Sequence, residues 1–257
     1  MPARITFLIG LVTVSLLLVL APRTETQSLT PSQGDVYVSL ETGLVQWRTP
    51  DDTLRAVLVG QIAGPAEGMR FDEGGNLGLA ACAGRVLKFS RNQPPVAYSV
   101  EPEDRRLLWI DLAGDGCTLF YTSQGLDVKR FDVCTNTQLP NFNLKPMPGE
   151  TQGLRVLSDG GVLVSSGAVI ARLDDAGSLV QVYDVPTREP SYWVGLDLVP
   201  GGTFWVVDSA SSNVYQFDLA TGEVRGRFNT GAPSRTPVDV VVRRAKTPSA
   251  PGGVILR

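Results

Sequence analysis

The strongest constraint on this chain is a repeat of 41 to 44 residues that runs through most of its 257 residues. The segments GLVQWR, RVLKFS, DVKRFD, VIARLD and VYQFDL are short alternating stretches, each with a large apolar residue near its end. Those residues are Trp47, Phe89, Phe131, Leu173 and Phe217, spaced 42, 42, 42 and 44 apart. A second series lies upstream: Val36, Leu77, Leu119, Val162 and Phe204, spaced 41, 42, 43 and 42. Most of the second series follows a glycine turn, as at 74–76, 160–161 and 201–202. Two series that keep one period make the repeat, not the single element, the unit of the fold.

Each period divides into four short runs bounded by Gly, Asp, Asn and Pro, the pattern of strands and tight turns. The first run is like GMRFD, LWIDL, GLRVL or GLDLV, and the second, after the glycine turn, is like NLGLA, TLFYT, GVLVS or TFWVVD. The third holds the large apolar residue, and the fourth is like LRAVLV, VAYSV, LVQVYDV or EVRGRF. Four strands in a repeat of this size make a propeller blade. The first repeat lacks its first strand, and the last has one to spare at 237–242, PVDVVV. A C-terminal strand that completes the first blade covers an open sheet edge and closes the ring. The expectation is an all-β chain, a β-propeller of five four-stranded blades over 34–244 closed by that strand. A six-bladed ring with one degenerate blade is the alternative. Residues 245–257 read as a flexible tail or a truncated blade.

Residues 5–21 form a 17-residue run without charge, between a signal-peptide core of about 7–15 residues and a membrane span of about 20. Residues 1–27 therefore read as a signal peptide or an N-terminal anchor. Either way the body is exported (secreted, periplasmic or extracellular), with membrane contact only through 5–21. Export permits a disulfide. Cys117 and Cys134 lie equally far from a turn placed at 124–127, so a cross-strand bridge between them is expected, with two free thiols as the alternative. Cys82 is left over and reads as inert.

Composition removes several classes of activity. The chain has no histidine, which excludes Ser-His-Asp and Cys-His catalysis and His-ligated metals. A net charge of -3 argues against a sequence-independent grip on nucleic acid. There is no dinucleotide fingerprint, P-loop or paired-Cys zinc motif.

Residues 194–228, VGLDLVPGGTFWVVDSASSNVYQFDLATGEVRGRF, resemble a blade of the gluconolactonase/senescence-marker family and its looser NHL-type relatives. The family pattern is N-G-L-x-x-S-x-D-G-x-x-x-Y-x-x-D-S followed by V-x-x-F-D, and residues 67–80, EGMRFDEGGNLGLA, resemble the same group. The resemblance implies a propeller. It also implies a calcium or magnesium site at the channel mouth, held by Glu, Asn and Asp oxygens, where the metal polarises a lactone carbonyl. Carried over, Glu67 falls at the family's Glu-Gly pair, and Asp208 at the Asp that serves as ligand and base. The family's Asn before Gly-Leu is Val194 here, which cannot ligate. The stretch 218–222, DLATG, resembles a turn of quinoprotein blades without their docking Trp. The bland reading of these acids is that Asp208 caps a strand end and Glu67 is a solvated loop acid.

First strands are innermost in a propeller, so residues two positions past their opening should line the central channel. These are Arg70, Trp109, Arg155, Asp197 and Asp239. They form either a polar site, where Arg takes a carboxylate or phosphate, or a self-satisfied ion-pair belt that joins blades. Trp47, Phe89, Phe131 and Phe217 read as core between blades, whereas Tyr192, Trp193 and Trp109 are placed at a channel mouth. The sequence thus points to an exported binding or interaction module that takes a protein or small-molecule ligand at a propeller face. A metal-dependent lactonase-like hydrolase using Asp208 and Glu67, and a cell-envelope structural protein, stay open beside it.

Overall fold

The computed structural model describes the strands from Val36 to Phe89 and, with short gaps, residues 93–240. The segment 1–27, Cys82, the side chains of Trp47, Glu67 and Phe89, and the tail 245–257 lie outside the described residues. Every regular element described is a β-strand. The first sheet joins β1 (Val36–Ser39), β2 (Leu44–Arg48) and β3 (Leu54–Val59). The second joins β4 (Ala66–Phe71), β5 (Leu77–Ala81), β6 (Arg85–Phe89) and β7 (Val96–Ser99). The third joins β8 (Ile110–Leu112), β9 (Thr118–Tyr121), β10 (Lys129–Asp132) and β11 (Thr137–Leu139). β12 (Thr151–Val156), β13 (Val162–Ser166), β14 (Val169–Leu173) and β15 (Leu179–Tyr183) make the fourth. The fifth holds β16 (Trp193–Val199), β17 (Thr203–Asp208), β18 (Asn213–Asp218) and β19 (Val224–Asn229).

Each sheet is an antiparallel meander in chain order, and β4, β8, β12 and β16 neighbour one another in succession. The sheets therefore stand radially around one axis as the five blades of a β-propeller. β1 pairs with β2 antiparallel, as β5 pairs with β6, so the described strands of the first blade answer to the second, third and fourth strands of the others. Pro237, Asp239 and Val240 of the expected closing strand carry no strand pairing, while 238, 241 and 242 lie outside the described residues. Val240 nevertheless packs beside Val194, Val207, Val214 and Trp205 of the fifth blade, where the ring must continue.

The two repeat series turn out to be one feature. Leu77 faces Phe89, Leu119 faces Phe131, Val162 faces Leu173, and Phe204 faces Phe217 as direct cross-strand partners. Only the first blade slips, pairing Val36 with Arg48 and Trp47 with Tyr37. Cross-strand apolar pairs stabilise a sheet locally, and here they also point between blades. Phe204 stacks on Phe217 at 5.4 Å, and Tyr183 of the fourth blade meets Phe204 edge-on at 5.0 Å. Trp193 meets Tyr215 and Phe217 edge-on in the same wedge. Trp193 is fully buried there, so it is core and not part of a channel mouth.

Directly after three of these apolar residues stand Asp132, Asp174 and Asp218, and each folds the turn into the outer strand. Asp132 accepts the N–H groups of Cys134 and Thr135, Asp174 those of Ala176 and Ser178, and Asp218 those of Ala220 and Thr221. The quinoprotein-like DLATG is thus an ordinary Asx turn. The Thr221 N–H and the Arg225 guanidinium hold the Asp218 carboxyl down at about 2.

The Cys117–Cys134 disulfide is present, with Cα atoms 5.3 Å apart. The register behind it is one residue off the expected one. Thr118 pairs with Asp132, so Cys117 faces Val133, and Cys134 is reached through the Asp132 turn.

Truncating the aromatic wedge tests this account. Phe217→Ala is expected to cost about 3–5 kcal/mol of stability, against under about 1 kcal/mol for Phe228→Ala on the exposed outer strand β19. Urea denaturation of the two variants checks the contrast.

Candidate functional site

The inner strands set one side chain each at the same height of the central channel. Arg70 pairs across to Gly78, Asp111 to Phe120, Arg155 to Leu163 and Asp197 to Trp205. Each stands one residue before the partner of the second repeat series: Phe71, Leu112, Val156 and Leu198. The channel member of the third blade is therefore Asp111. The sequence placed Trp109 there, which is two residues too early. Trp109 instead occupies the place of Gly68, Gly153 and Gly195. At Gly153 that place is tight because β12 and β16 converge: a Cβ there would meet the Val194 carbonyl oxygen.

Asp239 is the fifth position of the series, and it shares a local hydrogen bond with the two aspartates of the belt. Asp111 accepts the N–H of Leu112 at 3.0 Å, Asp197 that of Leu198 at 3.0 Å, and Asp239 that of Val240 at 2.8 Å. The belt is then tied from blade to blade. Arg70 Nε meets Asp111 Oδ1 at 2.7 Å, and Asp111 Oδ2 accepts the Val156 N–H at 3.0 Å. Arg155 Nε meets Asp197 Oδ1 at 2.9 Å, while its Nη1 donates to the Leu154 carbonyl. Arg155 is 2% exposed. Burial opposes its charge, but Asp197, Asp111 and Asp239 more than offset this and hold the guanidinium above its ordinary value.

Replacing Trp109 by Asp111 changes the charge balance from even to two arginines against three aspartates. Asp239 is the odd one. Asp239 is exposed, yet protein crowds its carboxyl closely. That desolvation, with Asp197 adding to it, pushes its carboxyl up to about 6 against the pull of Arg155, the Val240 N–H and Trp109.

A second set of polar groups lies where inner strands begin. β4, β12 and β16 each carry a bulge there, at Glu67-Gly68, Gln152-Gly153 and Val194-Gly195. A bulge leaves backbone groups outside the ladder, and on β12 and β16 the preceding blade satisfies one of them. The Thr122 hydroxyl donates to the Gln152 carbonyl, and the Ser165 hydroxyl to the Val194 carbonyl. These latches, like Gln152 itself, escaped the sequence reading. Their only signal was a hydroxyl three residues past the second series, at 122 and 165.

The resemblance placed chemistry at this end of the channel, on Glu67, whose side chain lies outside the described residues, and on Asp208. Asp208 is 1% exposed, and its oxygens accept the N–H groups of Tyr192 and Ala210 and the Ser211 hydroxyl. It caps the end of β17. Val194, in place of the ligating Asn, packs with Val207 and Val214. Glu67 lies on β4, at the same bulge position as Gln152 and Val194. Among the described residues, the grouping of three metal-type ligands is Cys117, Asp132 and Cys134, whose sulfurs are joined in the disulfide. Tyr192 is exposed at this end, and its hydroxyl accepts a hydrogen bond from Gln152 Nε2 at 3.1 Å.

Two consequences can be measured. A carboxyl raised in the folded state favours folding below its ordinary pKa, near 4, and that contribution fades as pH rises through about 6. Asp239→Asn is therefore expected to match the parent's melting temperature near pH 4 and to exceed it by a few degrees at pH 8. Asp197→Ala strands the buried Arg155 and is expected to cost about 3–5 kcal/mol, read by thermal or urea unfolding.

No family model and no curated protein matches the chain. Solved structures do match. Selenomethionine-substituted virginiamycin B lyase from Staphylococcus aureus is similar, with a TM-score of 0.64 at 13% identity over 82% of this chain and 72% of that one. A catalytically inactive histidine-to-alanine variant of the same lyase, crystallised with quinupristin, gives 0.60 at 15% identity over 82% and 75%. The WD40 β-propeller domain of Doa1 gives 0.57 at 14% identity over 76% and 65%. At these identities the likeness is one of fold, and the blade-level resemblance read from the sequence is a resemblance among β-propellers.

Proposed function

We propose that this protein is an exported β-propeller that binds a small molecule or a protein at the bulge-lined mouth of its channel and performs no chemistry there. The observation that carries this reading is Tyr192. Its ring is exposed at the mouth while its hydroxyl is fixed by the nearly buried Gln152. An aromatic ring ordered in advance gives contact area at small entropic cost. The Asp208 carboxylate, which accepts the Tyr192 N–H, is engaged by three donors in all, so it supports the fold and not a reaction. Propeller neighbours include a lyase seen with a small ligand, which supports a binding mouth. That lyase is inactive when one histidine becomes alanine, and this chain has no histidine, which favours binding over lyase activity. Export is supported by the uncharged run 5–21 together with the Cys117–Cys134 bridge, since structural disulfides persist in oxidising compartments.

Melting the purified protein in chelator and then in millimolar calcium, magnesium, manganese or zinc separates a binder from a metal-dependent hydrolase. The expected shift is under about 1 °C. A native-state ligand at about 100 times its dissociation constant would add roughly 2.7 kcal/mol. A rise of several degrees that Asp208→Ala abolishes would move the reading to the hydrolase. Thiol titration of the denatured protein recovered from outside the cell is expected to give one thiol, and three after reduction. Three thiols before reduction would remove the argument for export that rests on the bridge.

A further inference from the structure

The third blade carries a second concentration of chemistry, at the end of β9 away from the Thr122 latch. Cys117 leads into β9, and Cys134 lies in the turn that follows β10. Their Cα atoms are 5.3 Å apart. The two sulfurs and a carboxylate oxygen of Asp132 all lie within 4.8 Å of one another, with Cys134 exposed and Cys117 and Asp132 half-buried. Asp132 is oriented by the backbone: its Oδ1 accepts the Cys134 N–H at 2.8 Å and the Thr135 N–H at 2.9 Å. A carboxylate accepts at two oxygens, so this anchoring orients the group without exhausting it. Asp115 holds the other cysteine in the same way. Its Oδ1 accepts the Cys117 and Thr118 N–H groups, and its Oδ2 the Thr118 hydroxyl. Each cysteine is thus placed through its own N–H by an aspartate, and these bonds do not require the sulfurs to be joined.

We propose that Cys117, Cys134 and Asp132 bind zinc whenever the bridge is open, so that this corner of the blade is stapled either by a disulfide or by a metal. A tetrahedral zinc with sulfur ligands at about 2.3 Å keeps its ligand atoms roughly 3.5–3.8 Å apart. That separation is inside the span these three groups already have, so rotation of the cysteine side chains suffices. Two thiolates and a carboxylate suit zinc, and they do not suit calcium or magnesium, which take oxygen ligands. Three protein ligands leave the fourth position to water. Asp115 does not fill it, because both its oxygens are engaged, and it steadies Cys117 from behind. The two states exclude each other, since bridged sulfurs carry no charge to give a metal. A dithiol reductant opens the bridge by exchange: its two S–H hydrogens end on Cys117 and Cys134, and its own sulfurs join. Zinc then replaces those hydrogens, which leave as protons, and two Zn–S bonds form. The same open state exists in a newly made chain before oxidation. The site stands or falls separately from binding at the channel mouth near Tyr192.

The test uses the whole chain carrying Cys82→Ser, so that the only thiols are those of the pair. It is compared oxidised and after reduction with a phosphine, which takes up oxygen from water as the bridge takes up two hydrogens. Zinc is titrated against a chromophoric chelator, and cobalt serves as the coloured probe. The reduced protein is expected to bind one zinc and to gain several degrees in melting temperature, while the oxidised protein does neither. Cobalt is expected to show thiolate-to-metal charge transfer and the visible bands of a tetrahedral ion. Asp132→Asn keeps an oxygen for the two N–H groups but loses the charge. It should weaken zinc binding about 10- to 100-fold and leave the melting temperature of the reduced, metal-free protein unchanged. Cys134→Ser should abolish binding. If Cys82→Ser does not fold, the parent chain is titrated with the Cys117→Ser/Cys134→Ser double variant as its blank. The proposal is overturned if the reduced protein binds zinc no more tightly than the oxidised one, or if cobalt shows no thiolate charge transfer. It is equally overturned if Asp132→Asn binds zinc as tightly as its parent, which would leave only a pair of thiols.

Discussion

Close approach of the inner strands around one axis governs the rest of this molecule. At Gly153 the backbones of β12 and β16 leave no room for a Cβ, so the strands cannot be held together there by interdigitating side chains. What joins them is polar. One residue per blade lies in the belt, and Arg70, Asp111 and Arg155 each bond to the next blade, through a guanidinium, a carboxylate accepting a backbone N–H, and a guanidinium. Buried ion pairs of this kind contribute little net stability compared with apolar packing, and breaking one partner is costly. Their effect is to fix which blade sits at which height. The apolar wedges between sheets, such as Phe204 on Phe217 and Tyr183, supply the stability. The division follows from geometry: wedges widen outward and admit rings, whereas the axis admits only short or flat groups.

The bulges at the start of the inner strands belong to the same constraint. A strand that must bend toward a crowded axis departs from its ladder, and the carbonyls it frees are buried. Thr122 and Ser165 supply the donors. By the same spacing, the position in the fifth blade is Val207, and there Val240 packs instead. The latch is polar at the third and fourth blades and apolar at the fifth, beside the chain's last segment. That exchange is physically sensible, because an apolar contact tolerates the looser geometry of a segment that forms no ladder of its own among the described residues.

Most of the architecture could be read from the chain because its signal was redundant. Phe131, Leu173 and Phe217 recur with Leu119, Val162 and Phe204, and each pair is one cross-strand contact counted twice. The candidate site was less legible, for reasons that can be named. Counting from the opening of the first strand reaches Trp109. In the third blade no glycine marks that opening, because Trp109 itself stands in the glycine's place. Counting back from Leu119 through its partner Leu112 reaches Asp111 without ambiguity. The disulfide was found although its register was displaced by one, since a Cα separation of 5.3 Å is met equally well through the Asp132 turn. Gln152 and the hydroxyl latches were invisible. They answer carbonyls that exist as unpaired groups only once the bulge has formed.

The belt and the closure of the ring are coupled through Asp239. This residue belongs to the last segment of the repeat region, and its neighbour Val240 makes the apolar contact with the fifth blade. Placing Val240 therefore places a third carboxylate at a level where two arginines are already paired, and desolvation there acts against its charge. The apolar contact draws the segment in while the charge opposes it. Protonation of Asp239 removes the opposition without touching the contact. Its energy then appears as tighter seating of the segment that carries Val240. By linkage the reverse also holds: whatever seats that segment raises the affinity of Asp239 for its proton by the same factor.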